Sequence, residues 1–599
     1  MGLLQDIQKD VSLKQLDIKQ LNSLSEEIRG EIIDVVKNNG GHLSANLGMV
    51  ETTLALHYTL DLPKDKLVFD VGHQCYTHKL LSGRYDKFKT IRQSGGLSGF
   101  PEKDESPYDT FTTGHAGTSI ASGIGMCQAR DLLGEDYCVA VVVGDGSFSN
   151  GLNMEALSSS STKPKNFIVI LNDNGMSISK NKTGLYKYIS KTTTGNGYIR
   201  GKKVIRRAFG RWVAKILGKF RDFLKRIFNR NNYFEIFGFK YVGVIDGNNV
   251  KEMTKTLKRV REACKEKAVL LHVKTVKGKG FAEAEEKSDA YHGVGKNFDL
   301  SPCSFSSKLG KSLEGIMQKD KRVVAVTAAM TDGTGLSIIE KTFPERFFDV
   351  GIAEEYAVTA SAGMAVSGLK PVVALYSTFL QRAYDQVMHD VCLQNLPVVF
   401  CVDRAGFNGA DGKTHQGLFD ISLLSHLPNM TLLCPTSESD VEDALNYALS
   451  LNSPVAIRYP KSVNKLDVQM PSFKDGKWVQ ISQGDELSVI CVGGRTLALA
   501  LDFAKESGKN IQIIVARKIK PLDTECLQTI ACDKVFTIEE NAIEGGFGQK
   551  VASYFAEHKP NVKVTCFGAT DKFIAHGTVE EQMQTCGLTV QNLIEKSNQ

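Results

Sequence analysis

No apolar stretch in this chain is long enough to cross a bilayer, and the first twenty residues alternate charged side chains with Leu and Ile. Neither a signal peptide nor a transmembrane helix is therefore expected. No CxxC pair occurs among the thirteen scattered cysteines. That spacing argues against a zinc site or a disulfide framework and for reduced thiols in a cytoplasm. Low-complexity tracts and short tandem repeats are also missing, which leaves ordinary globular domains. Acidic residues are nearly absent from one region only. Residues 191–232 hold thirteen Lys and Arg against one acid, Asp222, while the whole chain carries a net charge of +6. The remainder is net negative, so the basicity is local and gives no argument for nucleic acid.

A chain of 599 residues is too long for one core, and three or four domains are expected. The stretch from Ala140 to Ser179 organises the rest. Cys138 to Val143 is an apolar β-branched run of buried-strand length, broken by Gly144-Asp145-Gly146-Ser147. Asn153 to Ser160 predicts a helix, Phe167 to Leu171 a second buried strand, and Asn172-Asp173-Asn174-Gly175 ends that strand. Parallel strands joined by a crossover helix put both turns at one carboxyl edge, where open α/β sheets bind ligands. Asp145 and Asn174 are thereby predicted neighbours. A carboxylate and an amide oxygen suit Mg²⁺ that also holds phosphate oxygens, and the glycines let backbone approach an anion. Either turn alone would read as an ordinary βα turn.

Several histidines stand at glycine turns. His42 follows Gly40-Gly41, His73 follows Val71-Gly72, and Gly114-His115-Ala116-Gly117 opens a Gly/Ala-rich helix. Such a histidine either sits beside a phosphate or caps the turn. Lys277-Gly278-Lys279-Gly280-Phe281 reads equally as a phosphate loop or an exposed loop, and Tyr291-His292 closes the region. Within 191–232, Ile205, Phe209, Trp212, Ile216, Phe220, Phe223 and Ile227 recur at helical steps among basic residues. The stripe reads as a mobile segment or a helix docked on its own domain, with contact to an anionic membrane or an acidic partner as the alternative.

A second α/β region opens with the strand Val323 to Ala328. A further strand there feeds a helix carrying Glu354 near its start, where a glutamate is ordinarily a cap or a solvated acid. Tyr376 to Gln386 contains Phe379, by itself a core aromatic. The strand Val398 to Val402 ends at Asp403-Arg404, and the glycine-rich loop behind it leaves Arg404, Asp411 and His415 free to converge. Arg458 stands at another strand end. Two arginines together hold a phosphate monoester well, whereas each alone reads as an ion-pair residue. Strands at Leu487 to Val492, Ile511 to Val515 and Val535 to Ile538 form a third α/β region, ending near the Glu539–Gly548 turn.

These motifs together resemble the 1-deoxy-D-xylulose-5-phosphate synthase family of thiamine diphosphate enzymes. The GDG…N pair is the family's cofactor signature, YSTFLQRAYDQ matches in full from Tyr376, and GADGKTHQG from Gly409 separates this family from ordinary transketolases. The resemblance implies a transketolase-like fold of three α/β domains with mostly parallel sheets: 1–300 for diphosphate and metal, 306–465 for the pyrimidine, and 482–599 at the C-terminal end. It implies condensation of pyruvate with D-glyceraldehyde 3-phosphate, with loss of CO₂, by a homodimeric transferase using thiamine diphosphate and Mg²⁺.

Residue by residue, the resemblance assigns Asp145, Asn174 and Met176 to the metal. It assigns His73, Gly114, His115, Ala116, Asp145, Gly146, Ser147, Asn174, Phe281, Glu354 and Phe379 to the cofactor. Glu354 would activate it. His42, His292, Asp411 and His415 would orient substrates and move protons, and Tyr376, Arg404 and Arg458 would bind substrate. The chain departs from the family at Ala116, in GHAGTS for GHSSTS, at Glu355-Tyr356, in GIAEEYA for GIAEQHA, and at Phe281, where Tyr is frequent. Ketol transfer of the transketolase type and a weakly catalytic cofactor-binding paralogue are the alternatives.

Overall fold

The computed structural model describes residues 2–9, 12–159, 163–175, 233–463, 466, 468 and 470–599. Met176 and the basic stripe at 191–232 lie outside the described residues. The chain forms two compact units, one of Met1–Lys89 and Phe100–Asp299, the other of Thr90–Gly99 and Leu300–Gln599.

The first unit is built on a parallel sheet of order β1-β2-β3-β5-β4, with β1 Lys66–Phe69, β2 Val139–Gly144, β3 Phe167–Asp173, β4 Lys240–Asp246 and β5 Val269–Lys274. β2 and β3 are almost wholly buried, as continuous Val/Ile runs require when helices cover both faces. The helix between them is Gly151–Ser158, two residues earlier than its apolar pattern suggests, because the Asn150 side chain accepts from Leu152 N and caps it. Behind the sheet, the Ser119–Leu133 helix approaches closely at Gly123, where a Cβ would lie 2.7 Å from Val141. The Ile18–Asn39 helix starts at a capping box between Asp17 and Gln20 and buries Leu21, Leu24, Ile28, Ile32 and Val35 along one stripe.

The second unit holds two sheets. One has the order β15-β10-β11-β9-β8-β6-β7, from β6 Val323–Thr327, β7 Phe347–Asp349, β8 Lys370–Tyr376, β9 Val399–Asp403, β10 Thr431–Leu433, β11 Val455–Tyr459 and β15 Lys518–Lys520. It is parallel except where β15 pairs antiparallel with β10. The other has the order β12-β14-β13-β16-β17, from β12 Val479–Ser482, β13 Leu487–Cys491, β14 Ile511–Val515, β16 Lys534–Ala542 and β17 Lys563–Ala569, with only β12 antiparallel. The Glu354–Val366 helix buries Ala357, Ser361, Ala362 and Ala365, small side chains that let it lie close to its neighbours. Among the described residues, no helix is long and apolar enough to cross a membrane.

Candidate active site

In the first unit, the register of β2 against β3 sets Gly144 opposite Asn172, so the turns carrying Asp145 and Asn174 leave adjacent strand ends. Asp145 is buried, and its Oδ2 has no hydrogen-bond partner among the described residues. Burial, then the neighbouring Asp173, pushes its carboxyl up to about 8. Asp173 Oδ1 accepts from Gly175 N at 3.2 Å, holding the Asn174 turn, and Asp173 Oδ2 lies 3.1 Å from His272 Nε2. Lys277 is buried 3.6 Å from Asp289, and burial lowers its pKa. A buried, unpaired carboxylate oxygen beside an amide turn and an ammonium fits a hard cation carrying phosphate oxygens.

Asp70, at the end of β1, ties the turns together. It accepts from Gly117 N at 2.9 Å, Ser119 N at 3.1 Å and Ser119 Oγ at 2.7 Å, and also from the Ser147 hydroxyl. Ser147 thus braces Gly146 and its turn from behind, with its hydroxyl committed to Asp70. Gly117 has a φ of +88°, and a Cβ there would fall 2.2 Å from Asn150 Oδ1, so only glycine closes this loop. Gly114 and Ala116 are buried beside it and His115 is half-buried.

His42, His73 and His292 form one cluster, with ring centroids 5.0 to 5.6 Å apart. Burial, with Lys277 second, holds the His292 pKa well below the usual imidazole range, so this ring is neutral at pH 7. Phe281 packs instead into an aromatic group with Tyr291 and Phe298, at 5.9 and 5.4 Å.

In the second unit, Glu354 is 2% exposed at the start of its helix, and its Oε2 has no hydrogen-bond partner among the described residues. Arg382 Nη1 is 3.7 Å away. Burial pushes the carboxyl up to about 7, against the opposing pull of Arg382. The preceding turn is held by Asp349, which accepts from Ala329 N, Gly351 N and Thr331 Oγ1 at 2.8 to 3.0 Å.

Phe379 stacks on Tyr376 at 5.7 Å and meets the His415 ring edge-on at 5.5 Å. Arg404, at a strained φ of +58°, lays its guanidinium 3.7 Å over the Tyr376 ring and donates to Gly333 O and Asp403. Asp411 lies 2.8 Å from Arg92 and 3.6 Å from Lys461, and Arg404 acts electrostatically on Lys461. Three cations therefore face two carboxylates, Asp411 and Asp403, an excess of positive charge suited to an anionic substrate.

Arg458 corrects the two-arginine expectation. It is buried, donates to Asp420 at 2.8 and 3.2 Å, and donates to Glu540 O at 3.0 Å. The register of β11 on β9 puts Arg458 on the same face as Ala456 and Val402, which packs on the third sheet, and there Asp420 and Glu540 take its donors. Sequence reasoning missed Arg92, Lys461 and Asp70. Arg92 sits on an aperiodic loop, Lys461 follows the Arg458-Tyr459-Pro460 strand end, and Asp70 was legible only as the acid closing a short strand before Gly72.

Three family models cover the chain. Residues 4–275 match 1-deoxy-D-xylulose-5-phosphate synthase, 302–465 the transketolase pyrimidine binding domain, and 476–593 the transketolase C-terminal domain. A 1-deoxy-D-xylulose-5-phosphate synthase from Clostridium tetani is 45% identical over 99% of this chain and 98% of its own length. One from Carboxydothermus hydrogenoformans is 44% identical at the same coverage. Among solved structures, a transketolase from Campylobacter jejuni is 19% identical with a TM-score of 0.42, covering 97% of this chain and 99% of its own.

Proposed function

This chain belongs to the 1-deoxy-D-xylulose-5-phosphate synthase family, and from that premise we propose how its residues condense pyruvate with D-glyceraldehyde 3-phosphate, with loss of CO₂, to give 1-deoxy-D-xylulose 5-phosphate. It is a transferase that uses thiamine diphosphate with Mg²⁺. Thiamine diphosphate supplies the carbon nucleophile and the electron sink for decarboxylation.

Asp145 and Asn174 would hold the Mg²⁺, and Lys277, His73, His115 and the Gly114–Gly117 loop would hold the diphosphate. Asp70 fixes that loop to the Ser147 turn. Glu354 would exchange a proton with the cofactor's pyrimidine ring, a task for which a buried carboxyl near neutrality is suited. Phe379 offers the pyrimidine an aromatic face. Neutral His292, with His42, hands protons to and from the substrate oxygens. Arg92, Arg404 and Lys461 draw the anionic substrates in, while Asp411, His415 and Tyr376 orient them. Arg458 has no substrate role in this reading.

The observation that carries the reading is Glu354 itself, a carboxyl buried at the head of a helix, with one oxygen that accepts no hydrogen bond among the described residues. Purified protein with thiamine diphosphate and Mg²⁺ is expected to release CO₂ from pyruvate in proportion to added D-glyceraldehyde 3-phosphate. Ketol transfer from xylulose 5-phosphate without pyruvate-derived CO₂ would replace this reading with the transketolase one.

The protein acts in the cytoplasm as a homodimer in this proposal. None of the thirteen cysteines forms a disulfide. Tyr356, Val366, Met388 and Leu393 are exposed on elements joined by a 2.5 Å bond from Thr359 Oγ1 to Asp390, an apolar face that a second copy would cover. Light scattering of wild type against Val366→Glu tests it, with a shift to monomer expected.

A further inference from the structure

The third sheet's segment carries none of the residues assigned above, yet it grips the loop that bears Asp411. Gln582, buried on the Val579–Thr585 helix, donates from Nε2 to Gly409 O at 2.8 Å, and Gly409 N donates back to its Oε1 at 2.9 Å. The side-chain amide thereby pairs with backbone as a neighbouring strand would. The same Nε2 donates to Ala575 O at 2.7 Å, which fixes which way the amide points. The helix is itself anchored by a capping box between Thr578 and Glu581.

A second tether reaches the partner of Asp411. His576 Nε2 donates to Gly96 O at 3.1 Å, in the loop that carries Arg92. On its other side, a Cβ at Gly412 would lie 3.0 Å from His576 Cβ, so the loop packs directly on this histidine. Gly409 and Gly412 have φ of +72° and +67°, and the stretch between them pairs with no strand. Its position is therefore set by what grips it, and two of those grips come from residues 576–582.

We propose that Gln582 is a positioning residue for the substrate loop, fixing Gly409 so that Asp411 meets Arg92, with His576 holding the Arg92 loop in step. The inference rests on the reading of Asp411 as a substrate-orienting residue. A buried amide that pairs a backbone donor and acceptor at once cannot be lost without freeing both, and a freed Gly409 loosens the hold of Asp411 and Arg92 on the substrate.

The test is steady-state kinetics of holoenzyme variants. Gln582→Met keeps length and burial but cannot pair with Gly409. Its KM for D-glyceraldehyde 3-phosphate or pyruvate is expected to rise about tenfold, with kcat within about twofold of wild type. Hydrogen exchange across 407–414 is expected to quicken, while Glu580→Ala on the exposed face of the same helix changes neither. Asp411→Asn is measured alongside. If it leaves both KM values unchanged, the reading of Asp411 fails. If it raises KM and Gln582→Met does not, the positioning role alone is overturned. A fall in kcat at unchanged KM would also overturn it, because that is what mere loss of folded enzyme produces. Should Gln582→Met not fold, His576→Ala decides in its place, by the same KM criterion.

Discussion

Arg92 Nη1 lies 2.8 Å from Asp411 Oδ1, although the two residues belong to different family-model segments of the chain. The contact is possible because Thr90–Gly99 packs with the second unit rather than with the residues on either side of it in sequence. Arg92→Ala is expected to raise KM for the anionic substrates at least about tenfold, since a charge-assisted contact contributes about 1.5–3 kcal/mol. Arg92→Lys should recover part of that loss, because the charge survives but the fork geometry does not. Initial rates over a substrate series decide.

Glu354→Gln is expected to abolish aldehyde-dependent CO₂ release, by a factor of about a thousand or more, because an amide cannot exchange the proton. Cofactor titration followed by fluorescence separates lost chemistry from lost binding.

The same residue makes stability depend on pH in the cofactor-free protein. The folded-state carboxyl sits near 7 and the unfolded one near 4.5, so the folded state holds a proton that the unfolded state has released. Stability should therefore fall as pH rises from 4.5 to about 7, by at most about 3 kcal/mol, and level off above. Urea denaturation across that range should show a shallower slope for Glu354→Gln than for wild type.

Asp70→Ala would remove the acceptor of four hydrogen bonds in the first unit. A loss of about 2–4 kcal/mol in stability is expected, with weaker thiamine diphosphate binding, because Gly117 and Ser147 lose their common anchor. Thermal melts with and without Mg²⁺–cofactor read both effects.

Arg458→Leu should destabilise by about 3–5 kcal/mol, since it leaves Asp420 buried and unpaired. KM for D-glyceraldehyde 3-phosphate should not move in the folded fraction. A tenfold rise in that KM, with melting unchanged, would restore Arg458 to the substrate.

Much of the first unit could be read directly. β2 and β3 are continuous β-branched runs bounded by glycine and asparagine, and a run of that kind admits few other structures. The helix at Glu354 was legible from its many small residues, Ala357, Ala360, Ser361, Ala362, Gly363 and Ala365. The details that were not legible depend on who meets whom. Whether Arg458 faces solvent or Asp420 is decided by the packing of β11 on the third sheet, and no local pattern encodes it. Ser147 looked like a hydroxyl on offer until the strand carrying Asp70 came to lie behind it. Arg92 stands in a loop with no periodicity, so its partner emerges only from the tertiary fold.

The antiparallel strand β15 has a consequence for inheritance. Lys518–Lys520 covers the outer edge of β10, and Trp478 Nε1 secures it by donating to Lys518 O at 2.7 Å. A nonsense codon anywhere between the second and third sheets would therefore yield a product with a bare strand edge. Such a product is a template for self-association, so its harm would come from sticky debris as well as from the missing enzyme.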